Sequence, residues 1–173
     1  MSKKLTVMLG SPRQQSVSTD AAERIMEAAN RAGFEVVEYN VNKMDFSGCQ
    51  GCGMCRANDT DCIVEDDFLE YLDDHKTSDA LIITAPNYYS HIAGPMVTFM
   101  NRHYCMFDKD RKPRLEKKIK VFGIFSQGAP APNEKYEESY DWYMGIFEKL
   151  GMENLGHVTI GGNSDKDAIF SKN

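Results

Sequence analysis

The sequence Gly10-Ser11-Pro12-Arg13-Gln14-Gln15-Ser16-Val17-Ser18-Thr19 follows an apolar run, 5–9, and precedes a segment with helical periodicity. It therefore predicts a turn from a buried strand into a helix. Backbone N–H groups at the start of a helix lack partners and carry partial positive charge, so such a turn can hold an anion. The side chains that add donors are Ser11, Arg13, Ser16, Ser18 and Thr19. We expect a phosphate site here; the alternative is a solvated loop whose Ser or Thr residues cap the helix.

The glycine content of this turn separates it from two common phosphate-binding motifs. It has no Lys-Ser/Thr pair after spaced glycines, as in nucleoside triphosphatases, and no three-glycine dinucleotide fingerprint. Hydroxyl side chains stand where those motifs have glycines. A hydroxyl-lined turn suits a terminal phosphomonoester, which presents three oxygens to donors, better than a bridging pyrophosphate.

Apolar runs alternate with helical segments along the rest of the chain. The runs are 5–9, 34–41, 80–85, 119–125 and 155–160, and helices are predicted from about Thr19, from Asp66, from Gly94 and after Pro132. Apolar strands that alternate with helices favour a parallel sheet covered on both faces. We therefore predict an α/β, flavodoxin-like three-layer sandwich with a five-stranded parallel sheet in the order 2-1-3-4-5. The segment 161–173 is too short and polar for a full closing helix.

Two further loops are predicted at the same edge of the sheet as the phosphate turn. The segment Pro86-Asn87-Tyr88-Tyr89-Ser90 follows the third strand, and Ser126-Gln127-Gly128 follows the fourth. In open α/β sheets, ligands bind beyond the carboxyl ends of the strands, where the strand order reverses. We therefore expect the three loops to form one ligand site, which favours the phosphate interpretation of the first turn.

Length and composition limit the possible functions. The 173 residues suit one domain, spanning 1–173, with a cysteine-rich loop at about 46–63. The net charge of -6 and the lack of a basic stripe with aromatic residues argue against nucleic acid. No apolar run reaches membrane-spanning length, and no long apolar segment follows the first lysines, so we expect no membrane contact and a cytoplasmic location. Five cysteines in a reducing compartment favour metal or redox chemistry over disulfides.

Several other residues are predicted to be structural. The helix after Pro132 carries Tyr136, Tyr140 and Tyr143 at helical spacing, which favours the core or a subunit interface over a ligand site. Cys105 falls in a helical pattern and is expected to pack in the core. His91 and His103 are expected to be surface or packing residues, and neither is given a catalytic role. The segment 108–118 is predicted to be a charged linker.

Taken together, these motifs resemble the NAD(P)H-dependent FMN reductases. The resemblance spans roughly 5–128 in motif order and spacing: the Gly-Ser-Pro-Arg turn with its Ser/Thr cluster, four cysteines followed by Asp66-Asp67, and Ala85-Pro86-Asn87-Tyr88-Tyr89 before a helix that ends near Asn101-Arg102. Within the family, the chain is most similar to the iron-sulfur flavoprotein branch. The resemblance implies a flavodoxin-like fold, FMN as cofactor, NAD(P)H as co-substrate, and homodimers or homotetramers.

The resemblance also implies roles for individual residues. The FMN phosphate would be held by Ser11, Arg13, Ser16, Ser18 and Thr19. The isoalloxazine would be wrapped by Pro86, Asn87, Tyr88 and Tyr89 on one side and by Ser126, Gln127 and Gly128 on the other. Because the chemistry takes place at the flavin N5, no side chain is predicted to be catalytic. Asn87 stands where many relatives carry a small apolar residue.

Four of the cysteines form the pattern Cys49-x2-Cys52-x2-Cys55-x6-Cys62. Three cysteines at three-residue steps among Gly48, Gly51 and Gly53 can direct their thiolates at one cluster, and the fourth closes it. The spacing matches the one that the iron-sulfur branch uses for a [4Fe-4S] cluster. Free or redox-active thiols are an alternative, and a zinc site is another, although tetrahedral sites usually use two widely separated pairs.

These patterns lead to one leading function and two alternatives. The leading function is an FMN-dependent oxidoreductase that passes electrons from NAD(P)H through flavin to a quinone, a flavin or another small-molecule acceptor. The first alternative is an iron-sulfur flavoprotein that carries electrons to or from a ferredoxin-like partner. The second alternative is a flavin-binding regulatory protein with little turnover.

Overall fold

The computed structural model describes residues 2–13 and 15–162. The predicted polar segment at the carboxyl end therefore lies outside the described residues beyond Gly162. In the described ranges, no helix is both long and apolar enough to cross a membrane.

Strands and helices alternate along the chain, as predicted. The strands are β1 Lys4–Leu9, β2 Glu35–Asn40, β3 Ala80–Tyr88, β4 His91–Ile92, β5 Lys120–Ser126 and β6 Glu153–Ile160. The helices are α1 Val17–Arg31, α2 Met54–Ala57, α3 Phe68–Thr77, α4 Gly94–Asn101 and α5 Glu134–Lys149, and a 3₁₀ helix, Arg102–Met106, follows α4. Two differences are local: α1 begins at Val17 rather than near Thr19, and the predicted cysteine-rich loop at about 46–63 contains the single turn α2.

The sheet has the predicted strand order with one addition. Five strands are parallel, in the order β2-β1-β3-β5-β6, which is the predicted order 2-1-3-4-5. The sixth, β4, has two residues and pairs antiparallel with the end of β3. The strand β1, which lies between β2 and β3, is buried almost throughout, because its apolar side chains face helices on both sides.

The sheet separates two apolar cores. On one face, α3, α4 and α5 pack on Met8, Ile83 and Phe125. On the other face, Val7, Ile82 and Ile124 pack against α1. The cover of this second face is incomplete among the described residues: an apolar groove runs between α1 and the sheet, and β6 exposes Leu155 and Val158.

Candidate functional site

The phosphate turn is held against the centre of the sheet. The backbone N–H of Gly10 donates to the carbonyl oxygen of Thr84 on β3 at 2.8 Å. A Cβ atom at position 10 would lie 2.5 Å from that oxygen, so only glycine allows the chain to approach β3 this closely. The turn therefore begins at a fixed point beside the carboxyl end of β3.

The hydroxyls of the turn are buried and pair mainly with one another. Ser11, Ser16 and Ser18 are almost fully buried, Thr19 is half-buried and Arg13 is exposed. The Ser16 and Ser18 hydroxyls lie 3.1 Å apart, and the Arg13 N–H donates to the Ser11 oxygen at 3.3 Å. Ser16 stands at the N-cap of α1 with an extended backbone, yet its side chain makes no capping hydrogen bond. Helix capping, the alternative interpretation of these hydroxyls, therefore does not account for them.

The second predicted loop is largely a continuation of β3. Pro86 pairs with Ser126 on β5, and Tyr88 pairs with His91 on β4. Tyr89 and Ser90 form the two-residue turn of this hairpin, with φ values of 54° and 73°. Both central residues of such a tight hairpin turn need positive φ, a backbone conformation that residues other than glycine rarely adopt. The Tyr89 side chain is fully exposed at the tip.

A hydrogen-bond chain joins the second loop to the third. The side-chain nitrogen of Asn87 donates to the Tyr140 hydroxyl at 3.0 Å, and this hydroxyl donates to the Gln127 side-chain oxygen at 2.8 Å. The Gln127 side-chain nitrogen in turn donates to the carbonyl oxygen of Pro130 at 3.0 Å. Gln127 and Tyr140 are buried, Asn87 is half-buried, and the adjacent Gly128 is exposed. The sequence predicted that Tyr140 lies in the core or at a subunit interface, but it did not predict this link.

The three loops therefore start from neighbouring strand ends at the carboxyl edge of the sheet. β3 contacts the first loop through Thr84 and Gly10, and it pairs with the start of the third loop through Pro86 and Ser126. The buried hydroxyls and the amino end of α1 provide donors for a phosphate. The chemistry of these donors fits a phosphate, and the assignment of the individual residues to FMN stays a prediction.

The four cysteines occupy one irregular segment with different exposures. Cys49 and Cys52 are exposed, Cys62 is half-buried, and Cys55 is buried in α2; all four are free. Burial raises the pKa of the Cys55 thiol; a backbone hydrogen bond from Arg56 opposes this rise, and the other three thiols add to it. Gly51 and Gly53 have positive φ, as expected for a turn that brings cysteines together.

The cysteine side chains do not form a compact site for a single ion. No group of three or more Cys, His, Asp or Glu side chains with the geometry of a metal-ion site occurs in the part of the chain that the structure describes. The iron-sulfur cluster, the zinc site and free thiols all stay predictions.

A fully buried arginine, Arg102, joins the two ends of the cysteine segment, 47–64. Arg102 makes two hydrogen bonds to the Asp66 carboxylate, at 2.6 and 3.0 Å, and donates to the carbonyl oxygen of Ser47 at 2.6 Å and of Val64 at 3.3 Å. Its guanidinium lies 4.5 Å from the centre of the Phe68 ring. Ser47 precedes the first cysteine and Val64 follows the last, so one side chain ties both ends of the segment.

Arg102 also lies close to Cys62, the last of the four cysteines. Burial lowers the pKa of Arg102, but its hydrogen bonds with Asp66 and the proximity of Cys62 outweigh that effect and raise the pKa overall. Sequence reasoning noted Arg102 only as part of a helix end. A charged residue directly after an apolar helix face, 36 positions from a paired aspartate, is too weak a signal to reveal this contact.

The predicted charged linker packs on the cysteine segment. Arg114 donates to the carbonyl oxygens of Thr60, at 2.5 Å, and Asp59, at 2.9 Å. In the reverse direction, Arg56 donates to the carbonyl oxygens of Asp108, at 3.1 Å, and Lys109, at 2.9 Å. Much of the segment 108–118 is therefore hydrogen-bonded to the cysteine segment and is not a free linker.

The core beside α3 contains two buried histidines. The His103 Nδ1 atom lies 3.1 Å from the Met100 carbonyl oxygen, so Nδ1 carries the proton and Nε2 accepts from the Tyr71 hydroxyl at 2.7 Å. Burial lowers the pKa of His103 to about 4 and that of His75 well below its ordinary value. Cys105 is buried, as the sequence predicted, and His103 is buried as well.

The strand order and the two helical layers define a flavodoxin-like α/β protein. Comparison with solved structures confirms this fold. A NAD(P)H:quinone oxidoreductase from Methanothermobacter marburgensis matches with a TM-score of 0.76 and 16% identity, covering 96% of this chain and 89% of the other. An FMN-dependent NADH-azoreductase from Bacillus anthracis in complex with FMN matches with a TM-score of 0.72 and 16% identity, covering 99% and 93%.

The family follows from the sequence itself. Residues 3–142 match the model of the NADPH-dependent FMN reductase family, and the chain belongs to this family. The predicted family is thereby confirmed, and so is FMN as the cofactor of this family.

Curated relatives agree with the predicted branch. An iron-sulfur flavoprotein of Archaeoglobus fulgidus is 29% identical over 127 residues, which cover 73% of this chain and 56% of the relative. An iron-sulfur flavoprotein of Methanocaldococcus jannaschii is 27% identical over 93 residues, covering 54% and 48%. The chain spans about half the length of the curated relatives that it matches.

Proposed function

We propose that the protein is an FMN-dependent oxidoreductase that takes electrons from NAD(P)H and passes them to a quinone, a flavin or another small-molecule acceptor. One observation carries the proposal: three loops start from adjacent strand ends at the carboxyl edge of the sheet, and the first is lined with buried hydroxyls that cap no helix. Family membership supports the same conclusion.

Each loop has a separate task in this proposal. The buried serines and the amino end of α1 donate hydrogen bonds to the phosphate, and the exposed Arg13 adds a charged fork. The end of β3 and the third loop enclose the ring from two sides. When bound, FMN supplies the electron chemistry at its N5 atom, so the protein contributes position, dipoles and exclusion of water.

The test combines flavin binding with turnover. The purified protein is titrated with FMN and with riboflavin, which lacks the phosphate, and NAD(P)H oxidation is then followed without oxygen in the presence of a quinone. Preference for FMN together with steady-state turnover is the expected result. Stoichiometric flavin reduction without turnover would instead favour an electron carrier or a regulatory flavin-binding protein. Failure to bind FMN would refute the proposal.

The cysteine segment favours a second candidate, an iron-sulfur flavoprotein that exchanges electrons with a ferredoxin-like partner. The supporting observation is that Arg102 fixes both ends of the segment while the four thiols stay free. Cys49, Cys52, Cys55 and Cys62 would supply the thiolates of a [4Fe-4S] cluster, and the guanidinium beside Cys62 would offset its negative charge. Iron and acid-labile sulfide assays on anaerobically purified protein decide between a cluster and free thiols, and a zinc assay covers the third possibility.

The remaining expectations complete the proposal. The chain would form one domain over 1–173 and act in the cytoplasm, which suits its free cysteines. A homodimer or homotetramer would cover apolar surface such as Leu155 and Val158 on β6. Light scattering of the purified protein measures the assembly.

A further inference from the structure

We propose that Tyr140 is a positioning residue of the flavin site and that it directs the side-chain oxygen of Asn87 to accept a hydrogen bond from N3–H of the isoalloxazine. The inference deepens the proposed function and rests on it, because only a bound ring gives Asn87 this partner. It is carried by the hydrogen-bond chain that runs from Pro130 through Gln127 and Tyr140 to Asn87.

The donor and the acceptor of each bond in this hydrogen-bond chain can be assigned from its last member, the carbonyl of Pro130. The backbone carbonyl of Pro130 can only accept, so the Gln127 group that faces it is the NH₂. The Gln127 oxygen must then face Tyr140, whose hydroxyl donates its single proton to it. The Tyr140 oxygen is left to accept, and it accepts from the NH₂ group of Asn87.

The consequence falls on Asn87. Because its nitrogen is used by Tyr140, its oxygen is the free half of the side chain, and this oxygen has no hydrogen-bond partner among the described residues. Asn87 is half-buried near the end of β3, in the loop predicted to wrap the ring. An isolated acceptor at that place matches an N–H donor, and N3–H is the only N–H group of the oxidised isoalloxazine.

Tyr140 is well suited to hold one orientation. It is fully buried, and its ring stacks on Phe125 with centres 4.5 Å apart and packs edge-on against His157 at 5.6 Å. Burial is the main cause that raises the pKa of Tyr140 to about 12, so the hydroxyl keeps its proton at any working pH. The hydroxyl also joins two of the predicted flavin loops, since Asn87 lies in the second and Gln127 in the third.

The experiment compares FMN with its N3-methyl analogue, which lacks the N3–H donor. Dissociation constants are measured by flavin fluorescence for the wild type, Tyr140→Phe and Asn87→Leu, with Tyr143→Phe as the matched control. Tyr143 lies one turn further along α5 and is also buried, but its hydroxyl takes no part in the chain. Riboflavin is titrated in parallel, and thermal unfolding verifies that each variant is folded.

We expect the wild type and Tyr143→Phe to bind FMN ~5- to 10-fold more tightly than N3-methyl-FMN, which is the worth of one neutral hydrogen bond. In Tyr140→Phe and Asn87→Leu this ratio should fall close to one, and both variants should lose similar factors for FMN and riboflavin because the contact is to the ring. A merely structural role of Tyr140 would weaken all flavins and leave the ratio unchanged.

Four results overturn the inference. A wild-type ratio near one, or the wild-type ratio retained in Asn87→Leu, refutes the N3–H contact. The wild-type ratio retained in folded Tyr140→Phe refutes the role of Tyr140. In each case the proposed function stands. If Tyr140→Phe does not fold, Asn87→Leu decides alone whether the contact exists, and retention of the ratio refutes it. A wild type that binds no flavin refutes both the inference and the proposed function.

Discussion

Replacing Arg102 with methionine should reduce the free energy of unfolding by about 3–5 kcal/mol, the usual cost of leaving one partner of a buried ion pair alone. The side chain is fully buried, and three of its hydrogen bonds, two to Asp66 and one to Ser47, are 3.0 Å or shorter. Charge-assisted hydrogen bonds contribute roughly 1.5–3 kcal/mol each, and the energy of removing the guanidinium from water offsets part of that sum. Methionine would keep some of the contact with Phe68 but none of the hydrogen bonds.

Urea unfolding at pH 7, followed by circular dichroism, measures this change. Arg31→Met is the matched control, because Arg31 forms an exposed pair with Glu27 at 3.8 Å and should cost less than about 1 kcal/mol. Asp66→Asn combined with Arg102→Met completes a double-mutant cycle, and the two effects should be clearly less than additive. A loss below about 1 kcal/mol in Arg102→Met, or additive effects in the cycle, would refute the assigned role of the buried pair.

The same pair predicts a dependence on pH. Burial alone would raise the pKa of Asp66, but Arg102 and the N–H groups of Ser47 and Phe68 lower it overall. The stability that this ionised carboxylate contributes is therefore present above the ordinary aspartate pKa of about 4 and is lost as the pH falls through the lower pKa of the folded protein. The difference in stability between the wild type and Arg102→Met should shrink below about pH 4.

Three further predictions concern other parts of the molecule. Because burial lowers the pKa of His103 to about 4, protonation of His103 favours the unfolded state; between pH 7 and 4, urea unfolding should show that the wild type loses about 3 kcal/mol more of its free energy of unfolding than His103→Gln. Arg13→Ala should weaken FMN roughly tenfold and leave riboflavin nearly unchanged in fluorescence titrations, whereas equal weakening would argue against the phosphate site. Cys52→Ser should remove any iron and brown colour while FMN binding persists, and an unchanged iron content would exclude Cys52 as a ligand.

The sheet and its order were predictable from local patterns. The runs 5–9 and 80–85 are apolar on both faces, which only a parallel sheet covered on both sides accommodates, and helical segments between them fix the crossovers. The phosphate turn was also visible, because a strand followed by Gly10 and a hydroxyl cluster is a local signal. The hairpin at Tyr89 and Ser90 was not, since the sequence lacks the Asn-Gly or Gly residues that usually mark such a turn.

The parts that escaped the sequence depend on contacts between distant segments. Arg102 reaches Ser47, Val64 and Asp66, and Tyr140 reaches Asn87, 53 positions away. Neither residue type nor spacing distinguishes these side chains from an ordinary surface arginine or core tyrosine. Their roles follow only from the folded arrangement, because a buried guanidinium or hydroxyl must find partners wherever the fold supplies them.

The arginines around the cysteine segment donate chiefly to backbone carbonyls, so many of the side chains in that segment should be replaceable. The bond from Arg114 to position 60 needs no particular side chain there, because every amino acid offers the same carbonyl oxygen. Position 59 is more restricted, because Asp59 has a φ of 51° and its carboxylate accepts from the Lys109 N–H. Arg102 is equally indifferent to the side chains at 47 and 64. A library of variants should therefore retain folded protein across much of the segment between the cysteines, whereas the arginines themselves should resist replacement, even by lysine, which lacks the planar fork.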